Sequence, residues 1–103
     1  MSKYRNIKTV IDGIKFDSKK EANRYQELKL LQKAGDISDL KLQQSYTIIV
    51  GDVKVCRYIS DFTYIKNNSS ESVCEDCKGF RTQTYIIKRK LMKACFGIEI
   101  LET

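Results

Sequence analysis

The stretch that most constrains this chain is residues 43–65, QQSYTIIVGDVKVCRYISDFTYI, dense in β-branched and aromatic residues and interrupted by Gly51-Asp52. Side chains branched at Cβ lose rotamer freedom in a helix and pack well on a pleated surface, and a Gly-Asp pair between two such runs supplies a turn. The stretch therefore predicts two strands joined at Gly51-Asp52.

The flanking segments have their own signals. Asp12-Gly13, between the short apolar runs of residues 8–17, marks a tight turn. Ser18 and Glu21 have the spacing of a capping box. The helix it opens carries Ala22, Tyr25, Leu28 and Leu31 at helical spacing and stops at Gly35. The polar stretch 66–71 reads as a turn and SVCEDCKGF (72–80) as a third strand. Thr82 or Thr84 is placed to cap a second helix that runs to about Phe96, Gly97 to break it, and IEILE (98–102) to form a last short strand. The order is helix, three strands, helix, strand. It predicts an α/β fold, a central mixed sheet with both helices packed on it. The 103 residues suffice for a single domain, 1–103, with residues 1–8 as a basic arm (Lys3, Arg5, Lys8) that either follows DNA or is a plain tail.

Composition narrows the chemistry. There is no histidine, which removes Ser-His-Asp and Cys-His catalysis and the commonest zinc ligand. The net charge of +6 fits a polyanionic partner. No apolar run is long enough for a membrane span, and the first ten residues lack the apolar core of a secretory signal, so a cytoplasmic protein with free thiols at Cys56, Cys74, Cys77 and Cys95 is expected.

Carboxylates and a lysine are left to carry any reaction. Asp76 and Lys78 lie two apart in the third expected strand and so project from one face. If the second and third strands are antiparallel neighbours, Asp61 comes within reach of Asp76. Two carboxylates held together repel unless a cation such as Mg²⁺ sits between them. Glu21 shares a helical face with Tyr25 and Leu28, where a metal would offset the cost of burial. Each residue also has an ordinary explanation: Glu21 as the inner member of the capping box, Asp61 as a solvated strand end, Asp76 and Lys78 as an exposed ion pair on a sheet edge.

Asp61, followed by Asp76-Cys77-Lys78, resembles the signature of the PD-(D/E)xK nuclease superfamily, with Ser60 standing where the signature has proline. More closely, FDSKKEANRYQELKLL, ISDFTY, VCEDCKGF and YIIKRKLMK are similar to a family of small phage and prophage proteins. The spacing of the four site positions is similar to that of phage junction-resolving endonucleases. The resemblance covers about residues 14–102. It implies a restriction-endonuclease-like core and a Mg²⁺- or Mn²⁺-dependent endodeoxyribonuclease in a bacterial host cell. Asp61 and Asp76 would be metal ligands, Glu21 would complete the site directly or through water, Cys77 would lend its backbone carbonyl, and Lys78 would be the catalytic lysine. Branched DNA would be the substrate, and cutting two symmetric strands would require a homodimer. Arg81, Lys88, Arg89 and Lys93 would contact phosphates, although the run at 88–90 reads equally as a solvated helix face.

Two other readings compete. One is a DNA-binding module that keeps the fold without chemistry. The other is a zinc-stabilised interaction domain built on Cys74-x-x-Cys77 with Cys56 and Cys95. The spacing disfavours zinc, because residues three apart in an extended strand face opposite sides of the sheet.

Overall fold

The computed structural model describes residues 8–77 and 80–103. Lys78, Lys3, Arg5 and the rest of the N-terminal arm before Lys8 lie outside the described residues.

The Asp12-Gly13 turn joins β1 (Thr9–Ile11) to β2 (Ile14–Phe16). Both turn residues have positive φ, 55° and 76°, the geometry of a two-residue hairpin turn that Asp-Gly adopts at little cost. Helix α1 (Lys19–Ala34) starts at Ser18, whose Oγ accepts the Glu21 N–H at 3.1 Å, and ends at Gly35 with φ 88°. That left-handed residue lets two N–H groups bond back onto the last helical turn, those of Gly35 onto Gln32 and of Asp36 onto Leu31.

Five strands follow: β3 (Ile37–Leu42), β4 (Ser45–Val50), β5 (Val53–Ile59), β6 (Phe62–Lys66) and β7 (Glu71–Asp76). Helix α2 (Gln83–Phe96) is capped by Thr82 and Gly97 and leads into β8 (Ile100–Glu102). The central sheet has the order β3-β6-β7-β8. Its β3–β6 and β6–β7 pairs are antiparallel, and only β7–β8, linked through α2, is parallel. A mixed sheet with two helices is present as expected. The class is α+β rather than α/β, because antiparallel neighbours joined by turns dominate.

The strands expected over residues 43–65 exist, but they belong to a longer structure. β4 and β5 continue β3 and β6 across a joint at Gln43-Gln44 and Ser60-Asp61. There the Gln43 N–H donates to the Asp61 carbonyl (3.2 Å) and the Ser60 N–H to the Gln44 carbonyl (2.9 Å). Residues 37–50 and 53–66 thus form one long bent hairpin around Gly51-Asp52. Its proximal half belongs to the central sheet, and its distal half lies against α2. The sequence reading missed Ile37–Leu42, because its exposed Asp39 and Lys41 look like loop residues. Asp39 is in fact the positive-φ residue (57°) of a bulge that shifts the β3–β6 register.

The central sheet is packed on both faces. On one, Leu28 of α1 packs with Phe16 and Phe62. On the other, Ile48, Tyr58 and Cys74 pack with Tyr85 and Met92 of α2. Complete burial of a side chain such as Leu28 or Met92 stabilises the fold by about 1.5–3 kcal/mol. Cys74 belongs to the α2-side core whereas Cys77 packs against the α1-side core, and all four cysteines are free. The two residues of the C-x-x-C pair therefore face opposite ways. Among the described residues no helix is long and apolar enough to cross a membrane.

Candidate functional site

The joint in the long hairpin builds the site. β6 pairs with β7 up to Phe62–Glu75, and the Asp61 N–H still donates to the Glu75 carbonyl at 3.2 Å. One step further the hairpin bends away, and Asp61 and Asp76 face each other across the opening fork. Their carboxyl groups come close enough for each to act on the other's proton. Burial, followed by the nearness of Asp76 and its charge, pushes the Asp61 pKa up to about 8. The Cys77 N–H, donating to Asp61 Oδ2 at 2.8 Å, pulls the other way. Two acids this close, one of them buried, favour a proton or a cation between them.

Asp76 is 1% exposed, and its Oδ2 accepts from the Tyr58 hydroxyl at 2.5 Å. Burial and that bond raise the Tyr58 phenol far above its ordinary range, so it serves as a fixed donor. Tyr58 reaches Asp76 because the break at Ser60-Asp61 resets the alternation of the strand. Phe62 and Tyr64 face the α1-side core while Tyr58 faces the α2-side core. Ser60 is fully buried, and its N–H bond to Gln44 is one that a proline could not make. The serine at this position thus has a structural reason.

Glu21, half-buried in the first turn of α1, lies near enough to Asp61 and Cys77 for its charge to raise both pKa values. The Ser18 half of the capping box is formed by its backbone N–H. The structure thus brings together Asp61, Asp76 and Cys77, with Glu21 near enough to act on them through its charge. Among the described residues no three His, Cys, Asp or Glu side chains are gathered closely enough to hold a metal ion by themselves.

On the opposite face of β7, Glu75 is fully buried. It is gripped by Arg24 through two bonds (Nε 2.6 Å, Nη2 2.9 Å) and by the Tyr64 hydroxyl (2.7 Å), with Thr103 Oγ1 at 3.3 Å. The carboxylate holds the guanidinium well above its usual pKa. Sequence reasoning missed Arg24, Tyr58 and Glu75. Strand alternation does place Glu75 opposite Asp76, and the need of a buried acid for a partner was the available signal. For Tyr58 alternation gives none, because the joint interrupts it.

The basic residues expected to meet phosphate are not equivalent. Arg81 (2.5 Å) and Arg89 (3.4 Å) both pair with Glu102, which also accepts from the Tyr85 hydroxyl, and Lys93 pairs with Glu99. Lys88, half-buried one turn after Tyr85, joins none of these pairs.

Fold and site together define a small α+β protein with two facing aspartates, Asp76 buried and Asp61 half-buried, at a fork in its sheet. The chain belongs to the family described as "Protein of unknown function (DUF1064)", whose model matches residues 1–100. No curated protein and no solved structure matches it.

Proposed function

We propose that this protein is a metal-dependent endodeoxyribonuclease of the PD-(D/E)xK kind, hydrolysing phosphodiester bonds of branched DNA such as four-way junctions. The observation that carries the reading is the facing of Asp61 and Asp76 at the fork, with the charge of Glu21 close by. A binding surface for DNA has no use for acids that repel phosphate, whereas a cation site requires them. The central sheet supports the reading as well. Along the chain its elements run α1, β3, β6, β7, α2, β8, the helix–three strands–helix–strand order of a restriction-endonuclease-like core, with the β4–β5 hairpin inserted.

The residues present fit Mg²⁺ or Mn²⁺. The donors are carboxylate oxygens, and Mg²⁺ is commonly held by one or two carboxylates with water filling its other positions. Asp61 and Asp76 would hold it, with Glu21 reached through water and the Cys77 carbonyl as a further oxygen donor. When bound, the ion supplies positive charge to the scissile phosphate and acidifies the attacking water. The protein's own groups do the positioning: the Cys77 N–H fixes Asp61, the Tyr58 hydroxyl fixes Asp76, and Lys78, two residues beyond Asp76, would meet the charge growing on the phosphate. Arg81, Lys88, Arg89 and Lys93 would bind the flanking backbone.

The test is cleavage of labelled four-way junction, flap, duplex and single-stranded DNA with Mg²⁺, Mn²⁺ or EDTA, beside Asp76→Ala. The expected result is metal-dependent cutting that disappears in the variant while DNA binding is kept or improved. Full activity in Asp76→Ala would sink the assignment. Binding without cutting by the wild type under every condition would leave a non-catalytic module.

A further inference from the structure

We propose that a second copy of this chain pairs with β4 along its open edge, joining two β4–β5 hairpins into one four-stranded antiparallel sheet. The contrast between β3 and β4, the two halves of segment 37–50, carries this proposal independently of the nuclease reading. Among the described residues β3 and β4 each have one strand neighbour, β6 and β5, so both present an open edge. Unpaired backbone along an edge recruits other strands, and folded proteins ordinarily blunt such edges with charge, bulges or cover.

The β3 half is blunted in all three ways. It carries Asp39 and Lys41 as an ion pair (3.6 Å), it bulges at Asp39, and the Leu40 N–H is taken by Gln32 Oε1 at 3.0 Å. The β4 half, SYTIIV, has no charged residue. Ile49 and Val50 stand 54% and 50% exposed, and across the turn Val53 and Val55 are 64% and 49% exposed. Such a strand is shaped to be paired.

Its own copy is the occupant that the uncharged strand and symmetry favour. Two identical strands related by a two-fold axis can meet only antiparallel, which is how the hairpin already pairs. Each chain carries a net charge of +6, so association through most of the surface is opposed by repulsion. Pairing across β4 sets uncharged strands side by side and leaves Lys54 and Arg57 of β5 on the far edges.

The experiment is sedimentation equilibrium of the full chain from low to high micromolar concentration, with hydrogen exchange at both extremes. The expected mass is twice the 12.0 kDa of the chain, with protection of the β4 amides appearing as the dimer fills. Thr47→Lys and Ile49→Lys should each weaken the dimer by at least about tenfold, equivalent to about 1.4 kcal/mol. Val53→Lys should leave it nearly unchanged. A monomer throughout the range overturns the proposal, as does a dimer whose β4 amides exchange at the monomer's rate.

Discussion

Glu75 and Asp76 are successive residues of one strand, both buried, and the fold treats them in opposite ways. Glu75 meets a guanidinium in two bonds, a phenol and a hydroxyl, so its charge is matched within the structure. Asp76 meets a phenol and a second carboxyl group. One acid is built into the scaffold by a cation on α1, while the other is raised against Asp61 at the mouth of a fork. A fold gains no stability from holding two acids together. Such a local conflict is where a functional site is to be sought.

The largest expected effect breaks the matched side. Arg24→Ala leaves Glu75 buried without its guanidinium. Loss of one member of a buried pair costs about 3–5 kcal/mol, and the lower end applies because Arg24 retains some contact with solvent. Urea denaturation should show it as a reduced midpoint with little change in slope. A loss under about 1 kcal/mol would mean that the Glu75 network is peripheral to the fold, and the contrast between the two faces would disappear.

The Asp61–Asp76 side should respond with the opposite sign. Asp61 binds its proton more tightly when folded, at about 8, than at the ordinary aspartate value of 3.8. Its stabilising contribution is therefore complete below about pH 4, falls as the pH rises through the window from about 4 to 8, and is level above it. One proton sets a ceiling of about 1.4 kcal/mol per pH unit on the slope. Asp61→Asn keeps an acceptor for the Cys77 N–H and removes the repulsion. It should flatten this dependence and, above pH 8, make the protein more stable than the wild type. Mg²⁺ added to the wild type should flatten it as well, since a cation replaces the proton. Thermal unfolding across pH 4–9 measures all three, and equal slopes in wild type and Asp61→Asn would remove the paired-acid site.

Much of this contrast was legible in the sequence, and the remainder was hidden for identifiable reasons. The capping of α1 by Ser18 and Gly35, the Asp12-Gly13 and Gly51-Asp52 turns, and the capping of α2 by Thr82 and Gly97 depend on one to four neighbouring residues, so local pattern reveals them. The approach of Asp61 to Asp76 needed only the antiparallel pairing of neighbouring strands. Glu75 depends on Arg24, fifty-one residues earlier and on another element, a distance over which periodicity carries no information. Tyr58 depends on a joint at Ser60-Asp61 that resets the strand's facing, and no Gly or Pro stands there to mark it. β3 was concealed by the charges and bulge that protect it as an edge.

The smallest expected effect carries the same distinction, partnered against available charge, to the basic residues. A cation already bound to an acid brings little net charge to a phosphate, whereas one outside such a pair releases a counterion when DNA binds. Lys93 is partnered by Glu99, and among the described residues Lys88 on the same helix is in none of the ion pairs. Lys88→Ala should thus reduce the slope of log K against log salt for duplex DNA by about 0.9, and Lys93→Ala by less than half of that. Fluorescence anisotropy in EDTA, which separates binding from cutting, gives both slopes. Equal losses would show that the Lys93–Glu99 pair opens on DNA and that pairing in the free protein does not decide which cations meet phosphate. A loss confined to Lys93→Ala would place the DNA track on the outer face of α2, away from the fork.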